Sequence, residues 1–274
     1  MNADPRSDGF PAVKPEIDGC PSRRPLNEDA AALRSYLNAS WLGRIEFAQA
    51  LALQDEKVAR KREDHSMPDE LFLLEHEPVY TIGRTPDRSS LSAAGSRPSR
   101  GGELGRTHLP HPLFSINRGG QATYHGPGQL MGYPIIDLRR CGQDLHKYLR
   151  WLEQLLIDLL ADYDIAAQRR ESLTGVWVEN RKIASIGVGV RHWITMHGFA
   201  LNVCGDLSPF DHIVPCGIKN VAITSMEKET SREFSVDEVA AACEKLALHR
   251  IAELRIDCAS YATGTECSQL CVIK

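Results

Sequence analysis

The sequence predicts an α+β protein, with a mixed, mainly antiparallel sheet core flanked by helices. Strand-like runs follow one another with short turns at Gly175 to Glu179, Lys182 to Val190 and Ile194 to Val203. Two helical segments, Asp144 to Asp162 and one opening at Ser235, stand apart from these runs, and no regular strand-helix alternation marks a doubly wound fold.

Residues 1 to 40 hold five prolines, scattered charges and little periodicity, which predicts a solvated extension with at most a short helix near Glu28 to Leu37. Arg44 to Asp64 places Ile45, Ala48, Leu51, Ala52 and Val58 at mostly helical spacing and reads as an amphipathic helix. Leu71 to Leu74 and Val79 to Ile82 flank Glu75-His76-Glu77-Pro78, giving two strand segments or one interrupted strand. Gly83 to Pro112 is a long loop in Ser, Pro, Gly and Arg, with arginines at 84, 88, 97, 100 and 106. Either it solubilises, or its charge steers an acidic partner.

In Asp144 to Asp162, Leu145, Tyr148, Leu149, Leu152, Leu155, Leu156, Leu159 and Leu160 make a broad apolar face, a core stripe and not a cofactor box. The final helix opens on Ser235, spaced as a capping box with Glu238, and runs to about Ile251. A last strand at Leu254 to Asp257 and a tail from residue 258 complete the expectation, with one domain spanning 41 to 257.

The 274 residues carry a formal charge of −4, 42% hydrophobic and 25% charged residues, the profile of an ordinary globular protein. That balance argues against a general nucleic-acid binder, and no run is long and apolar enough to span or anchor in a membrane. A cytoplasmic location is expected. The eight cysteines, Cys20, Cys141, Cys204, Cys216, Cys243, Cys258, Cys267 and Cys271, form no C-x-x-C pair, so neither a zinc site nor a disulfide framework is indicated. His192 and His197, five apart on one strand, fall on opposite faces and cannot ligate one ion, and His108 and His111 have no nearby carboxylate or thiol. No metal is implied. There is no Walker A motif, no G-x-G-x-x-G opening a helix and no G-x-S-x-G elbow.

Arg118-Gly119-Gly120-Gln121-Ala122-Thr123-Tyr124-His125-Gly126-Pro127-Gly128-Gln129 is a binding loop by composition, with four glycines among twelve residues. Glycine lets the backbone turn sharply and approach a ligand that a side chain would hold away. Apolar runs at Leu113 to Asn117 and Leu130 to Ile136 place this loop between two strands. Within it, His125 contacts a ligand or braces the loop, and the sequence favours neither. Pro215-Cys216-Gly217-Ile218 puts a thiol on a tight turn; an inert thiol is the commoner case, and a nucleophile there would need a cation to ionise it. Lys182, in Lys182-Ile183-Ala184-Ser185-Ile186-Gly187-Val188, is a long cation in an otherwise apolar strand: either it points to water beside Arg181, or it is held inside for chemistry.

Taken together, Arg118 to Gln129, Lys182 to Gly187, His197-Gly198-Phe199-Ala200-Leu201-Asn202-Val203 and Pro215 to Ile218 resemble the lipoyl(octanoyl) transferases of the biotin/lipoate protein ligase superfamily. The resemblance runs from about Leu42 to Ile251 and includes Glu70 to His76 and Tyr80 to Arg84. The N-terminal extension, the arginine loop and the tail are longer than the family pattern. The resemblance implies that superfamily's catalytic fold and transfer of an octanoyl group from acyl carrier protein to a lysine of lipoyl domains or of glycine-cleavage H protein. It implies a monomer without cofactor. By it, Cys216 forms an acyl-thioester and Lys182 lowers its pKa or relays its proton. Arg118, Gly119, Gly120, Gln121, Ala122, Thr123, Tyr124, His125, Ser185, Ile186, Gly187, Gly198, Phe199 and Ala200 line the acyl and carrier-arm site. The competing readings are an ATP-dependent lipoate or biotin ligase of the same fold, a cysteine hydrolase using Cys216 with His125 or His212, and a carrier-binding module without catalysis.

Overall fold

A strand at Leu37–Ile45 (β1) and a helix at Phe47–Glu63 (α1) open the structure, a computed structural model that describes residues 37–85, 89–94, 109–214 and 221–259, without the side chains of 92–94 and 256–259. The strands that follow are β2 (Asp69–His76), β3 (Val79–Ile82), β4 (Leu113–Ser115), β5 (Thr123–His125) and β6 (Gln129–Ile135). Helix α2 (Leu145–Ala161) precedes β7 (Gln168–Arg170), β8 (Leu173–Val178), β9 (Arg181–Arg191) and β10 (Ile194–Asn202). The short strand β11 (Ala222–Ile223) and helices α3 (Met226–Thr230) and α4 (Val236–Ala259) close it.

The large sheet has the order β1-β2-β6-β10-β9-β8-β7, with β11 added beside β9, and β4-β3-β5 form a small second sheet. Pairing is antiparallel except for β1 with β2, β11 with β9 and β3 with β4, so the mixed, mainly antiparallel α+β expectation holds. One face of the large sheet packs against α2 and α4 through Leu152, Leu155, Leu156, Leu159, Val239 and Ile251. The other carries α1 over Phe72, Leu74, Met131, Tyr133, Ile135 and Met196. The small sheet has its own apolar cluster of Tyr80, Ile82, Ala122, Tyr124 and Phe210.

Asp144 caps α2 by accepting the Lys147 N–H at 3.0 Å, and the helix matches its expected bounds closely. The three-strand meander is also where the pattern put it. Several elements differ. The N-terminal boundary moves, because β1 begins at Leu37, fully buried at the sheet edge, inside the stretch expected to be solvated; residues 1–36, with the suggested helix near Glu28, lie outside the described residues. Ile45 belongs to β1, and the buried stripe of α1 is Phe47, Ala50, Gln54, Val58 and Lys61, with Ala48 and Ala52 exposed. Two polar residues enter that stripe because each is bonded. Lys61 Nζ donates to Asp69 Oδ1 (3.0 Å) and to the carbonyls of Met67 and Pro68, while Gln54 Oε1 accepts the His197 N–H at 2.7 Å. The strand expected at Leu254 to Asp257 is helix, since Ala247, Ile251 and Leu254 continue the inward face of α4. Ser235 does precede α4, yet its hydroxyl donates to the Asp237 carboxylate. Among the described residues no helix is long and apolar enough to cross a membrane.

Candidate active site

A pocket of about 500 Å³ of empty space, part of it open to solvent, lies where the small sheet and the start of α1 meet β6, β9 and β10. Its lining includes Arg118, Gly119, Gly120, Gln121, Thr123 and His125 from the Gly-rich loop, Ser185 to Gly187 from β9, and Gly198 to Ala200 from β10. These segments are distant in sequence. They meet because β9 and β10 pair with Gly187 opposite Gly198, and β10 pairs with β6, while β5 hangs the loop over that face. Of the residues assigned to the substrate site from sequence, Ala122 and Tyr124 do not line the cavity. The unforeseen strand β5 alternates, so Thr123 and His125 face the pocket while Tyr124 packs with Tyr80 and Phe210.

The loop is fixed by a directed chain of hydrogen bonds. The Arg118 guanidinium donates to the Thr81 carbonyl (3.0 Å) and to Thr81 Oγ1 (2.8 Å), and it also reaches the Gly119 carbonyl (2.8 Å). Thr81 Oγ1 lies 3.2 Å from His125 Nε2 and His125 Nδ1 lies 3.3 Å from Gln129 Oε1. Gln129 Nε2 then donates to the Tyr124 carbonyl. With Thr81 donating its hydroxyl hydrogen, the series is satisfied when the His125 proton sits on Nδ1. Burial, then the charge of neighbouring groups, holds His125 well below its ordinary pKa, so it braces the loop as a neutral ring. Gly187 lets the Arg118 side chain approach β9, since a Cβ there would stand 3.0 Å from Arg118 Cδ.

Sequence reasoning missed Phe47, Ile116, Met131, Tyr133 and His197 in the lining. Met131 and Tyr133 are the alternate residues of β6 that face α1, a signal present in the pattern. Tyr133 Oη lies 2.7 Å from His76 Nε2, and His76 Nδ1 donates to the Ile45 carbonyl at 3.0 Å. Burial lowers His76 to about 4 and pushes the Tyr133 hydroxyl up, so the pair stays uncharged with Tyr133 as donor. Phe47 packs edge-on against the His76 ring at 5.2 Å and close to Phe114 at 5.0 Å. This is a dry, largely apolar wall.

On the β10 side, His197 is 3% exposed, with φ +57°. Its Nε2 has no hydrogen-bond partner among the described residues. Burial first, then the Arg118 and Arg191 charges, lower it to about 4. His192, by contrast, sits exposed in the turn between β9 and β10.

Lys182 is buried, not turned to water beside Arg181. A bulge in the β8–β9 ladder, where Trp177 pairs with Lys182 but Val176 with Ala184, changes the course of the strand at this residue. Lys182 Nζ donates to the Thr174 carbonyl at 3.1 Å and lies 5.3 Å from the Trp177 ring centre. Gly175, at φ +124°, leaves room for it; a Cβ there would sit 2.7 Å from Lys182 Cε. On the other side β11 pairs Ile223 with Lys182. Cys216 and the rest of 215–220 lie outside the described residues, as do Arg88, Arg97, Arg100, Arg106 and His108. The described free cysteines are Cys141, Cys204 and Cys243, and burial raises the latter two. His212 is exposed on the short turn Ser208–His212. Among the described residues no cluster of three His, Cys, Asp or Glu side chains could hold a metal ion.

The lipoyl protein ligase A/B catalytic domain, as a family model, matches residues 46–246. The chain belongs to this family. An octanoyltransferase of Geobacter sulfurreducens is 48% identical over 201 residues, covering 73% of this chain and 79% of that one. An octanoyltransferase of Synechococcus elongatus is 48% identical over 191 residues, or 69% of this chain and 77% of its own. Among solved structures, a lipoate-protein ligase A bound with ATP superposes with a TM-score of 0.57 at 14% identity, over 79% of this chain and 85% of that chain. The bipartite lipoate protein ligase of Thermoplasma acidophilum gives 0.58 at 15%, over 79% and 84%. At such identities these two structures speak for the fold. The family's α+β architecture is the one described above.

Proposed function

We propose that this chain transfers an octanoyl group from octanoyl-acyl carrier protein to a lysine of lipoyl domains and glycine-cleavage H protein through a thioester on Cys216. Octanoyl transfer in protein lipoylation is the activity that goes with its family and its octanoyltransferase relatives. The observation that carries the reading is the convergence of three separate motifs on one cavity that sets the glycines at 119, 120, 187 and 198 opposite the apolar side chains of Phe47, Ile116 and Met131. In this reading an eight-carbon chain lies against Phe47, Met131 and Tyr133.

Both ends of the chain around Cys216 support its role. The Val214 N–H donates to the Ser90 carbonyl at 2.8 Å, and Ser90 Oγ accepts the Ala122 N–H of the Gly-rich loop at 3.2 Å. The described chain that leads into residues 215–220 therefore adjoins that loop. On the far side, Ile223 is in register with Lys182, and the Thr224 N–H donates to the Lys182 carbonyl. In this reading Lys182 favours the Cys216 thiolate or relays its proton. Thioester exchange onto Cys216 is nearly isoenergetic, and the final amide is more stable than the thioester, so neither ATP nor another cofactor is required. The two protein substrates visit in turn, which gives ping-pong kinetics. In this reading the chain acts as a monomer.

Octanoyl-acyl carrier protein mixed with the protein without ATP should give an octanoyl adduct in intact-mass spectra, which a lipoyl domain then removes onto its lysine. Cys216→Ala should form no adduct, and Lys182→Ala should load at least about 100-fold more slowly with little change in carrier affinity. An unchanged adduct in Cys216→Ala would sink the thioester. Transfer that requires ATP and free octanoate would favour the ligase reading, and release of octanoate without an acceptor the hydrolase.

A further inference from the structure

Lys182 is met by two groups that other parts of the fold hold in place. The first is the peptide between Thr174 and Gly175, whose carbonyl accepts from Lys182 Nζ at 3.1 Å. The N–H of that same peptide donates to the Glu153 carboxylate of α2 at 3.3 Å, and Glu153, buried, is itself bonded by Arg150 and Arg169. In a trans peptide the N–H and C=O point opposite ways, so the bond to Glu153 sets the direction of the carbonyl that takes the lysine.

The second group is Trp177. Because β9 supplies the extra residue of the bulge, β8 keeps its alternation: Val176 and Val178 pack under α2 and α4, and Trp177 turns to the opposite face of the sheet. Trp177 and Lys182 are register partners, which brings their side chains together, and Nζ lies 5.3 Å from the ring centre. The Arg170 guanidinium of β7 stands 5.0 Å from the same ring. The indole is fully buried, yet its N–H has no acceptor among the described residues. Hydrogen bonding therefore does not explain an indole at this place, whereas its electron-rich face does, since among the aromatic side chains that face attracts an ammonium most strongly.

We propose that Trp177 is a positioning residue: its ring, together with the 174–175 peptide, holds the Lys182 ammonium in the orientation that serves Cys216. This inference rests on the proposed role of Lys182 and adds how the fold secures it. A lysine side chain is long and flexible, and a carbonyl alone would leave the charge free to swing about one contact.

The test times loading from octanoyl-acyl carrier protein by intact mass for Trp177→Leu and Trp177→Phe, each in the natural chain and in Lys182→Ala. In the natural chain Trp177→Leu should load about 30-fold more slowly at saturating donor with KM within about 2-fold, and Trp177→Phe, which keeps a ring face, about 5-fold more slowly. In the Lys182→Ala background neither should cost more than about 1.5-fold further, because the side chain they position is gone. Losses that repeat in that background would make Trp177 a packing residue and overturn the proposal. So would an unchanged rate for Trp177→Leu, or a Trp177→Phe as slow as Trp177→Leu. Should Trp177→Leu fail to fold, Trp177→Phe carries the same comparison, slow alone and without further effect beside Lys182→Ala. A Lys182→Ala that loads as fast as the wild type is a different result: it removes the role of Lys182, and this inference with it.

Discussion

His125 on β5 and His197 on β10 look into the same cavity, both buried and both held neutral, yet the fold treats them oppositely. Each nitrogen of His125 meets a neighbour, in a chain that runs from Arg118 through Thr81 and on to Gln129. His197 is anchored by its backbone to Gln54, while Nε2 is buried without a hydrogen-bond partner among the described residues. The difference separates two tasks that a buried histidine can perform. A ring with both nitrogens engaged sets the shape of a wall, and a ring held by its backbone alone fills space beside it.

The largest effect on stability should come from opening the engaged wall. Thr81→Val keeps the shape but removes the hydroxyl between Arg118 and His125, which should lower unfolding free energy by about 2–3 kcal/mol in urea titrations. A loss below about 0.5 kcal/mol would mean that Arg118 relies on the Thr81 carbonyl alone.

Taken per residue, a smaller effect should appear with acid. His76 and His197 each fall from 6.5 to about 4, so between those values the unfolded chain binds protons that the folded chain refuses. Stability is then full above about pH 6.5 and declines as the pH drops toward 4, by roughly 1–2 kcal/mol per histidine at pH 5. Urea midpoints at pH 7 and pH 5 measure this, and His76→Gln should flatten the difference. A pH-independent midpoint would show that these rings protonate without resistance.

The smallest effect should come from the ring held by its backbone alone. His197→Gln removes no described side-chain hydrogen bond and should change unfolding free energy at neutral pH by only about 1 kcal/mol. A loss as large as that of Thr81→Val would erase the distinction between the two walls.

Much of this architecture was legible in the sequence. The meander and the leucine-faced α2 follow their periodicities, and the Gly-rich loop announced close backbone approach. What escaped has physical causes. β1 alternates poorly, with a register shift between Trp41 and Arg44 at the sheet edge, so its pattern did not read as a strand. The inward face of α1 contains Gln54 and Lys61, whose burial depends on partners in β10 and β2 that no local window reveals. β5 has three residues, too few for alternation to announce that Tyr124 turns away. Phe47 and Met131 read as core, and only the packing of α1 against β6 makes them a cavity wall.

This cavity should hold the acyl chain. The most direct measurement is NMR on protein loaded with an octanoyl group carrying a 13C terminal methyl. Nuclear Overhauser contacts are expected from that methyl to the Met131 methyl and the Phe47 ring, the first of them lost on Met131→Ala. A terminal methyl with solvent-like dynamics and no contact to either residue would contradict it.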